Sequence, residues 1–244
     1  MPSAVPVKIV ITTPTPTSAG TRPGGSATAR NGTSGPDSLS GTAGADLIFG
    51  LGGPDSILGL GGNDSLYGGD GDDSILGDAG NDLLFGGAGR DSVLGGAGDD
   101  TFYGGKGADS VSGDDGNDLL FGNQDSDTLL GGAGNDTFFG GAGDDSLVGG
   151  AGDDCLSGDR GRDTLTGGAG NDTFSIGRLA DADVITDFTV GTDKIRLNAG
   201  LTFAELTISA GAGTVPSTIV QLTSTKETLA TVLGVTISRT DFIF

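Results

Sequence analysis

The sequence predicts an all-β protein built from stacked coils, in which two nine-residue repeats form each coil. Between Gly32 and Ser175 an Asp recurs every nine residues without a slip, giving sixteen repeats. In all sixteen, a Gly stands five residues before the Asp and an apolar residue stands two residues after it. Alternate repeats end in an aromatic residue, which adds an 18-residue period: Phe49, Tyr67, Phe85, Tyr103, Phe121 and Phe139. Alternate repeats therefore face different environments, as two repeats in one coil would.

Each repeat is interpreted as a turn followed by a short strand. In the unit GGAGNDTFF, the first six residues form the turn, because glycines adopt a positive φ at little cost. The Asp closes the turn, and three strand residues follow it. Side chains alternate along a strand, so the middle residue points inward and its neighbours point outward. This explains why only the middle position is apolar in every repeat.

Composition restricts the chemistry. The chain has 244 residues and a formal charge of −21, of which residues 32–175 carry −22. One Cys and no His exclude an internal disulfide, a Cys/His zinc site and a Cys–His catalytic pair. Carboxylates and carbonyls suit hard cations, Ca²⁺ first and Mg²⁺ second. So acidic a chain is expected to avoid nucleic acid, because phosphates would repel it.

Three regions are predicted. Residues 1–31, rich in Pro, Thr, Ser, Gly and Ala, form a mostly disordered leader with one short strand at Val7–Thr12. Residues 32–175 form the repeat array. Residues 176–244 contain β-branched runs separated by Gly and Pro, and form a compact β-rich cap.

The repeats resemble the RTX (haemolysin-type) calcium-binding family, whose unit reads G-G-x-G-x-D-x-U-x. The resemblance covers 144 of the 244 residues. It implies a right-handed parallel β-roll of 18-residue coils, with Ca²⁺ held between each turn and the turn one coil further on. It also implies at most about 14 ions, since each turn pairs with the turn two repeats later. The ligands would be turn carbonyls and the repeated aspartates: Asp37, Asp46, Asp55, Asp64, Asp73, Asp82, Asp91, Asp100, Asp109, Asp118, Asp127, Asp136, Asp145, Asp154, Asp163 and Asp172.

Four of these sites are expected to be weaker. Repeats one to three carry Pro36, Ala45 and Pro54 before the Asp, where Asn or Asp is common later, and repeat eleven reads GNQDSDTLL. The weak sites would be those of Asp37, Asp46, Asp55 and Asp127.

Electrostatics predicts that folding requires calcium. Stacked coils place aspartates about 5 Å apart. Each neighbouring pair then repels by roughly 3 kcal/mol at an effective dielectric constant of about 20. The array is therefore expected to be unfolded without Ca²⁺ and folded with it.

The sequence also predicts how the protein leaves the cell. No stretch approaches 18 apolar residues, so no membrane span is expected, and the N-terminus does not read as a secretory signal peptide. The ending Asp241-Phe242-Ile243-Phe244 resembles the acidic and apolar tail of type I secretion substrates. The same ending could instead be a strand that caps the roll, and both interpretations can hold together. We therefore expect an extracellular protein that engages the type I machinery transiently.

The predicted function is a secreted, structural or adhesive calcium-binding protein. The alternative is an export and folding module, or a fragment, of a larger RTX enzyme or toxin. Enzymatic activity is not expected, because 31 residues before the array are too few for a catalytic domain and no His-Glu-x-x-His or Gly-x-Ser-x-Gly motif occurs. The aromatic stripe either stiffens the roll or offers a face for self-association or a surface partner. Cys155 is interpreted as a chance substitution at an outward strand position.

Overall fold

The chain folds as a parallel β-solenoid. A computed structural model describes residues 29–177, 182–198, 200–211 and 216–243. Among these, the regular structure is almost entirely β-strand, with short 3-10 helices at Phe203–Glu205 and Arg239–Asp241. The predicted all-β, coiled fold is confirmed.

The strands form two sheets, which the chain visits alternately through the array. The first sheet contains β1 (Ala29–Asn31), β3 (Leu47–Gly52), β5 (Ser65–Asp70), β7 (Leu83–Ala88), β9 (Thr101–Lys106), β11 (Leu119–Gln124), β13 (Thr137–Ala142), β15 (Cys155–Arg160), β17 (Thr173–Ile176), β19 (Lys194–Leu197) and β23 (Phe242–Ile243). The second sheet contains β2 (Ser38–Ser40), β4 (Ser56–Gly61), β6 (Ser74–Ala79), β8 (Ser92–Ala97), β10 (Ser110–Asp115), β12 (Thr128–Ala133), β14 (Ser146–Ala151), β16 (Thr164–Ala169), β18 (Asp183–Ile185), β20 (Leu206–Ala210), β21 (Ser217–Leu222) and β22 (Thr228–Leu233).

Parallel pairing fixes the length of one coil. Leu47 of β3 lies opposite Ser65 of β5, and Ser56 of β4 lies opposite Ser74 of β6, so the register is 18 residues in both sheets. The same step continues through the array as far as the pairing of β15 with β17. Two repeats therefore form each coil, as the alternation of aromatic residues predicted.

The strands are longer than predicted. A turn of six residues and a strand of three were expected, but most strands run for six residues and include the first three residues of the next repeat. In β3, for example, Leu51 and Gly52 still pair with Gly69 and Asp70. The glycine-rich half of the repeat continues the ladder, so that only about three residues of each repeat turn.

One inward side chain per repeat forms a thin core. The second residue of each strand from β3 to β17 is no more than 3% exposed. These residues are Ile48, Ile57, Leu66, Ile75, Leu84, Val93, Phe102, Val111, Leu120, Leu129, Phe138, Leu147, Leu156, Leu165 and Phe174. The core has no second layer, so each of these side chains packs against its counterparts in the adjacent coils.

The aromatic stripe lies on the outer face of the first sheet. Its six rings stack in sequence, with centroids 4.6–5.0 Å apart and ring planes within 3–18° of parallel. Each ring therefore covers the face of the next, as stiffening of the roll requires. The edges of the rings point to solvent, and Phe139 at the end of the stripe is 36% exposed.

The C-terminal region extends both sheets. β18 pairs with β16, and β19 pairs with β17, in parallel. β22, β21 and β20 then form an antiparallel edge of the second sheet. In the first sheet, β23 lies beside β19. The predicted β-rich cap is thus a continuation of the roll.

At the other end the structure differs from the predicted leader. Ala29–Asn31, which the prediction placed in the leader, form β1 and pair with Leu47–Phe49 at the same 18-residue register. The predicted strand Val7–Thr12 lies outside the described residues. In the part of the chain that the structure describes, no helix is both long and apolar enough to cross a membrane.

The thin core predicts a sharp contrast between inward and outward leucines. Leu120 lies between Phe102 and Phe138 in register, so Leu120→Ala should lower the free energy of unfolding by about 3 kcal/mol. Leu130→Ala is the matched control, because Leu130 is 40% exposed, and should cost less than about 1 kcal/mol. Urea unfolding of both variants in saturating Ca²⁺ measures the difference. Equal losses would contradict the assignment of the core.

Candidate metal centre

The repeated aspartates form two columns of buried carboxylates. Each Asp lies at the end of its turn, directly before the next strand, and the 18-residue register stacks alternate repeats above one another. From Asp46 to Asp172 the side chains are no more than 4% exposed. Burial of unpaired charge at this density is costly, so the partners of each carboxylate oxygen decide what the columns can do.

One oxygen of each carboxylate is satisfied by the backbone. The N–H of Asp100, for example, donates to Oδ1 of Asp118 one coil further on, at 2.8 Å. Equivalent bonds of 2.7–3.0 Å reach Oδ1 of all fourteen aspartates from Asp55 to Asp172. The carboxylates are therefore held in one orientation along both columns.

The other oxygen has no partner within the protein. Oδ2 is buried without a hydrogen bond in the same fourteen residues: Asp55, Asp64, Asp73, Asp82, Asp91, Asp100, Asp109, Asp118, Asp127, Asp136, Asp145, Asp154, Asp163 and Asp172. A buried acceptor without a donor costs about 1–3 kcal/mol, and more when it is ionised. Fourteen equivalent unsatisfied oxygens indicate a repeated ligand site.

Glycine creates the space beside this oxygen. A Cβ placed on Gly86 would lie 2.5 Å from Oδ2 of Asp91 and 2.6 Å from the carbonyl oxygen of Gly104, one coil further on. A carboxylate oxygen and a backbone carbonyl oxygen thus converge on a point that only Gly leaves empty. This explains why the first glycine of the repeat occurs sixteen times in sixteen.

This donor set fits calcium. Carboxylate and carbonyl oxygens are the ligands that Ca²⁺ prefers. Among the described residues, no three His, Cys, Asp or Glu side chains converge, so backbone carbonyls would have to complete the coordination of a cation. A bound Ca²⁺ would supply the positive charge that each bare Oδ2 lacks, and the fixed Oδ1 hydrogen bond would keep Oδ2 aimed at it.

The first two aspartates are placed differently. Oδ2 of Asp37 accepts the N–H of Thr33 at 2.6 Å and its hydroxyl at 2.9 Å. Oδ2 of Asp46 accepts the same two groups from Thr42 at 2.6 and 2.8 Å. The structure thus brings fourteen of the sixteen predicted ligands into one arrangement and gives the other two protein partners. Asp55 and Asp127, predicted to be weaker, share the common geometry.

Sequence reasoning missed the aspartates that continue the columns into the cap. Asp183 accepts the N–H of Asp163 at 3.2 Å, and Asp193 accepts the N–H of Asp172 at 3.1 Å, both through Oδ1. The steps are 20 and 21 residues, so a search for period nine passes over them. The segment TVGTD, ending at Asp193, carries the missed signal, since it repeats the pattern of TSGPD and TAGAD in the first two turns.

A second ladder on the outside of the turns was also missed. The residue before the Asp is often Asn or Asp, and its side-chain oxygen accepts the backbone N–H of its counterpart in the next coil. Asp99, for instance, accepts from Asn117 at 2.8 Å, and this bond lowers the pKa of the exposed Asp99 carboxyl. The chain of such bonds links residues 63, 81, 99, 117, 135, 153 and 171. These outer oxygens already have partners, unlike the inner Oδ2 atoms of Asp55 to Asp172.

In the metal-free chain, burial raises the pKa of most of the inner carboxylates. For the nine named next, burial first, and the charges of neighbouring aspartates second, outweigh the backbone hydrogen bond that lowers the pKa. The pKa is raised to about 7 for Asp100, Asp118, Asp127 and Asp154, and to about 6 for Asp64, Asp73, Asp91, Asp109 and Asp145. Near neutral pH the carboxylates of the columns therefore repel one another unless protons or cations neutralise their charge.

In this parallel solenoid, repeated turns leave a buried carboxylate oxygen beside a backbone carbonyl. Such a fold defines a protein with a repeated cation-binding turn. The model of the RTX calcium-binding nonapeptide repeat, which describes four copies at a time, matches this chain in seven overlapping segments: residues 31–66, 49–84, 58–93, 85–120, 94–129, 121–156 and 148–182. These segments span residues 31–182, well over half of the chain. The chain belongs to the RTX calcium-binding repeat family.

Two solved structures are similar to parts of the chain. The AlgE6R3 subunit of the mannuronan C5-epimerase from Azotobacter vinelandii is 26% identical, with 57% of this chain and 80% of that chain covered and a TM-score of 0.26. The extracellular lipase LipA from Serratia marcescens is 19% identical, with 93% of this chain and 41% of the lipase covered and a TM-score of 0.29. A search of curated protein sequences found no match.

The raised pKa values predict that protons can partly replace the cation. Because the folded pKa lies above the ordinary value of 3.8, ionisation opposes the metal-free fold, whose stability is greatest below about pH 4 and is lost as pH rises through 6–7. Circular dichroism in a chelator should therefore show more β-structure at pH 4.5 than at pH 8. Sedimentation controls for aggregation, and a monomer with equal β-structure at both pH values would contradict the prediction.

Proposed function

We propose that this chain is a secreted calcium-binding protein that folds outside the cell when Ca²⁺ fills its turns, and that its role is structural or adhesive. The observation that carries the proposal is the row of fourteen buried Oδ2 atoms without a partner. The number of these atoms equals the upper bound of about 14 ions that the pairing of turns gives. Each ion would offset charge in an array that carries −22.

Calcium concentration would decide where folding happens. Extracellular calcium modules bind at about 10⁻⁴–10⁻³ M, far above the calcium level of a cytoplasm. Binding to the folded state alone stabilises it in proportion to the logarithm of ligand concentration, at every site. An array of many such sites would therefore change from unfolded to folded over a narrow range of Ca²⁺.

The C-terminal segment supports export before folding. Asp241 and Phe242 are buried, and Oδ2 of Asp241 accepts the N–H of Ser238 at 2.7 Å, while β23 lies against β19. A secretion signal that includes these residues would be accessible to a type I export machinery only while the chain is unfolded. The interpretations as a signal and as a capping strand then describe one segment before and after folding.

We also propose that the chain acts through its surface and not as an enzyme. The buried ionisable groups of the array are the aspartates, and cations would occupy their free oxygens. The flat outer faces of the two sheets remain for contact with a partner, and the aromatic stripe is the proposed face for self-association or adhesion. Its stacked rings present their edges, so a partner would meet a narrow apolar strip.

The adjacent residues Asp99 and Asp100 test the calcium site. Asp100→Asn neutralises an inner carboxylate and puts an amide beside the cation, so the Ca²⁺ concentration at the midpoint of folding should rise about tenfold, which is about 1.4 kcal/mol. Asp99→Asn is the matched control, because Asn preserves the acceptor for the N–H of Asn117 and should shift the midpoint less than about twofold. Circular dichroism during Ca²⁺ titration measures both.

Two results would contradict the proposal. If the wild-type chain were fully folded in a chelator at pH 7.5, calcium would not control its folding. If Asp99→Asn and Asp100→Asn shifted the midpoint equally, overall charge would matter and the inner column would not be the binding site.

A further inference from the structure

The repeats of the array fall into two classes that differ at their second residue, which stands four residues before the Asp. In the fourteen turns that end in Asp55 to Asp172, this residue has a positive φ, between 70° and 120°. These residues are Leu51, Leu60, Gly69, Asp78, Gly87, Gly96, Gly105, Asp114, Asn123, Gly132, Gly141, Gly150, Asp159 and Gly168. The two exceptions are Thr33 and Thr42, which are not left-handed. The same fourteen turns are those in which Oδ2 is buried without a hydrogen-bond partner.

Side-chain shape explains the division. A left-handed backbone is unfavourable for any side chain and most unfavourable for a β-branched one. Leu51 and Leu60 adopt it nevertheless, at φ values of 82° and 79°. Threonine does not adopt the left-handed conformation, and its backbone N–H donates a hydrogen bond to Oδ2 of the Asp. The residue at the second position thereby sets whether Oδ2 has a donor.

In the threonine turns the carboxylate oxygen has no capacity left for a cation. The N–H and the hydroxyl of Thr33 use the two lone pairs of Asp37 Oδ2, and Thr42 does the same at Asp46. Both donors also direct partial positive charge at the point where a cation would lie. The protein supplies to these oxygens what calcium would supply to the other fourteen.

The same pattern recurs where the array ends. In TVGTD the N–H of Thr189 donates to Oδ2 of Asp193 at 2.7 Å, while Oδ1 accepts the N–H of Asp172, one coil earlier. The three segments TSGPD, TAGAD and TVGTD share T-x-G-x-D, and they flank the fourteen turns on both sides. The motif therefore marks the first turn of both columns and the last turn of the column that ends in Asp193.

We propose that T-x-G-x-D is a metal-independent closing turn, and that calcium occupies the turns from Asp55 to Asp172 but not those of Asp37, Asp46 and Asp193. A threonine at the second position supplies Oδ2 with a donor from within its own turn and so excludes the ion. The inference rests on the proposed function, namely that Ca²⁺ binds at the bare Oδ2 atoms. The sequence predicted weak calcium sites at Asp37 and Asp46. The present inference is that these two turns bind no calcium.

Two reciprocal substitutions test the rule. Thr42→Gly makes the turn read GGAGAD, one residue from the GGKGAD of residues 104–109, and should add one bound ion per chain. Leu51→Thr makes the turn read TGGPD, one residue from the TSGPD of residues 33–37, and should remove one. Native mass spectrometry of the full chain in saturating Ca²⁺ counts the ions, and circular dichroism confirms that each variant is folded.

Matched controls separate backbone shape from side-chain chemistry. Thr42→Val keeps the β-branch but not the hydroxyl and should leave the count unchanged, because the backbone N–H still covers Oδ2. Leu51→Asn tolerates a left-handed backbone, as Asn123 does, and should also leave the count unchanged. An unchanged count in Thr42→Gly, or in a folded Leu51→Thr, would overturn the inference. If Leu51→Thr does not fold, Thr42→Gly alone decides.

The count for the wild-type chain distinguishes the two proposals. A wild-type chain that binds no Ca²⁺ would refute the proposed function. A wild-type chain that binds many ions, with identical counts in all four variants, would refute only the threonine rule.

Discussion

The roll depends on what satisfies the second oxygen of each buried aspartate. The coil repeat stacks these carboxylates in columns, and in the fourteen from Asp55 to Asp172 backbone N–H groups satisfy only one oxygen of each. The remaining oxygens carry like charge at close spacing, so the columns are the least stable part of the metal-free fold. A divalent cation would offset the repulsion and give each of these oxygens a partner. On the proposed function, folding and calcium binding are therefore one process.

The rest of the molecule is consistent with this dependence. One inward side chain per repeat gives little hydrophobic burial for eighteen ordered residues in each coil. The aromatic stripe adds stacking on one face only, and its ring faces are used for contact with one another. Glycine, which lets the oxygens converge, also raises the entropy of the unfolded chain. The features that build the site thus weaken the fold that carries it.

The sequence predicted the features that follow from the spacing of the repeats. It did not predict the backbone conformation of individual turns. The strict spacing of Asp and apolar residues predicted the core and the aspartate columns, and the alternation of aromatic residues predicted two repeats in each coil. It could not show that Gly, Leu, Asp and Asn at the second turn position share one backbone conformation, because that conformation follows from the stacked coils. It also passed over Asp183 and Asp193, because the loops of the cap lengthen the step to 20 and 21 residues.

The threonine turns offer a way to bound a solenoid that is built from repeated cation-binding turns. A buried carboxylate oxygen without a partner is a cost to the fold unless a cation binds it. A threonine removes that cost with two donors from within its own turn and requires no neighbour. Local hydrogen bonds in the threonine turns and cations in the other turns would therefore be two solutions to one problem, and the residue at the second position of the repeat would select between them.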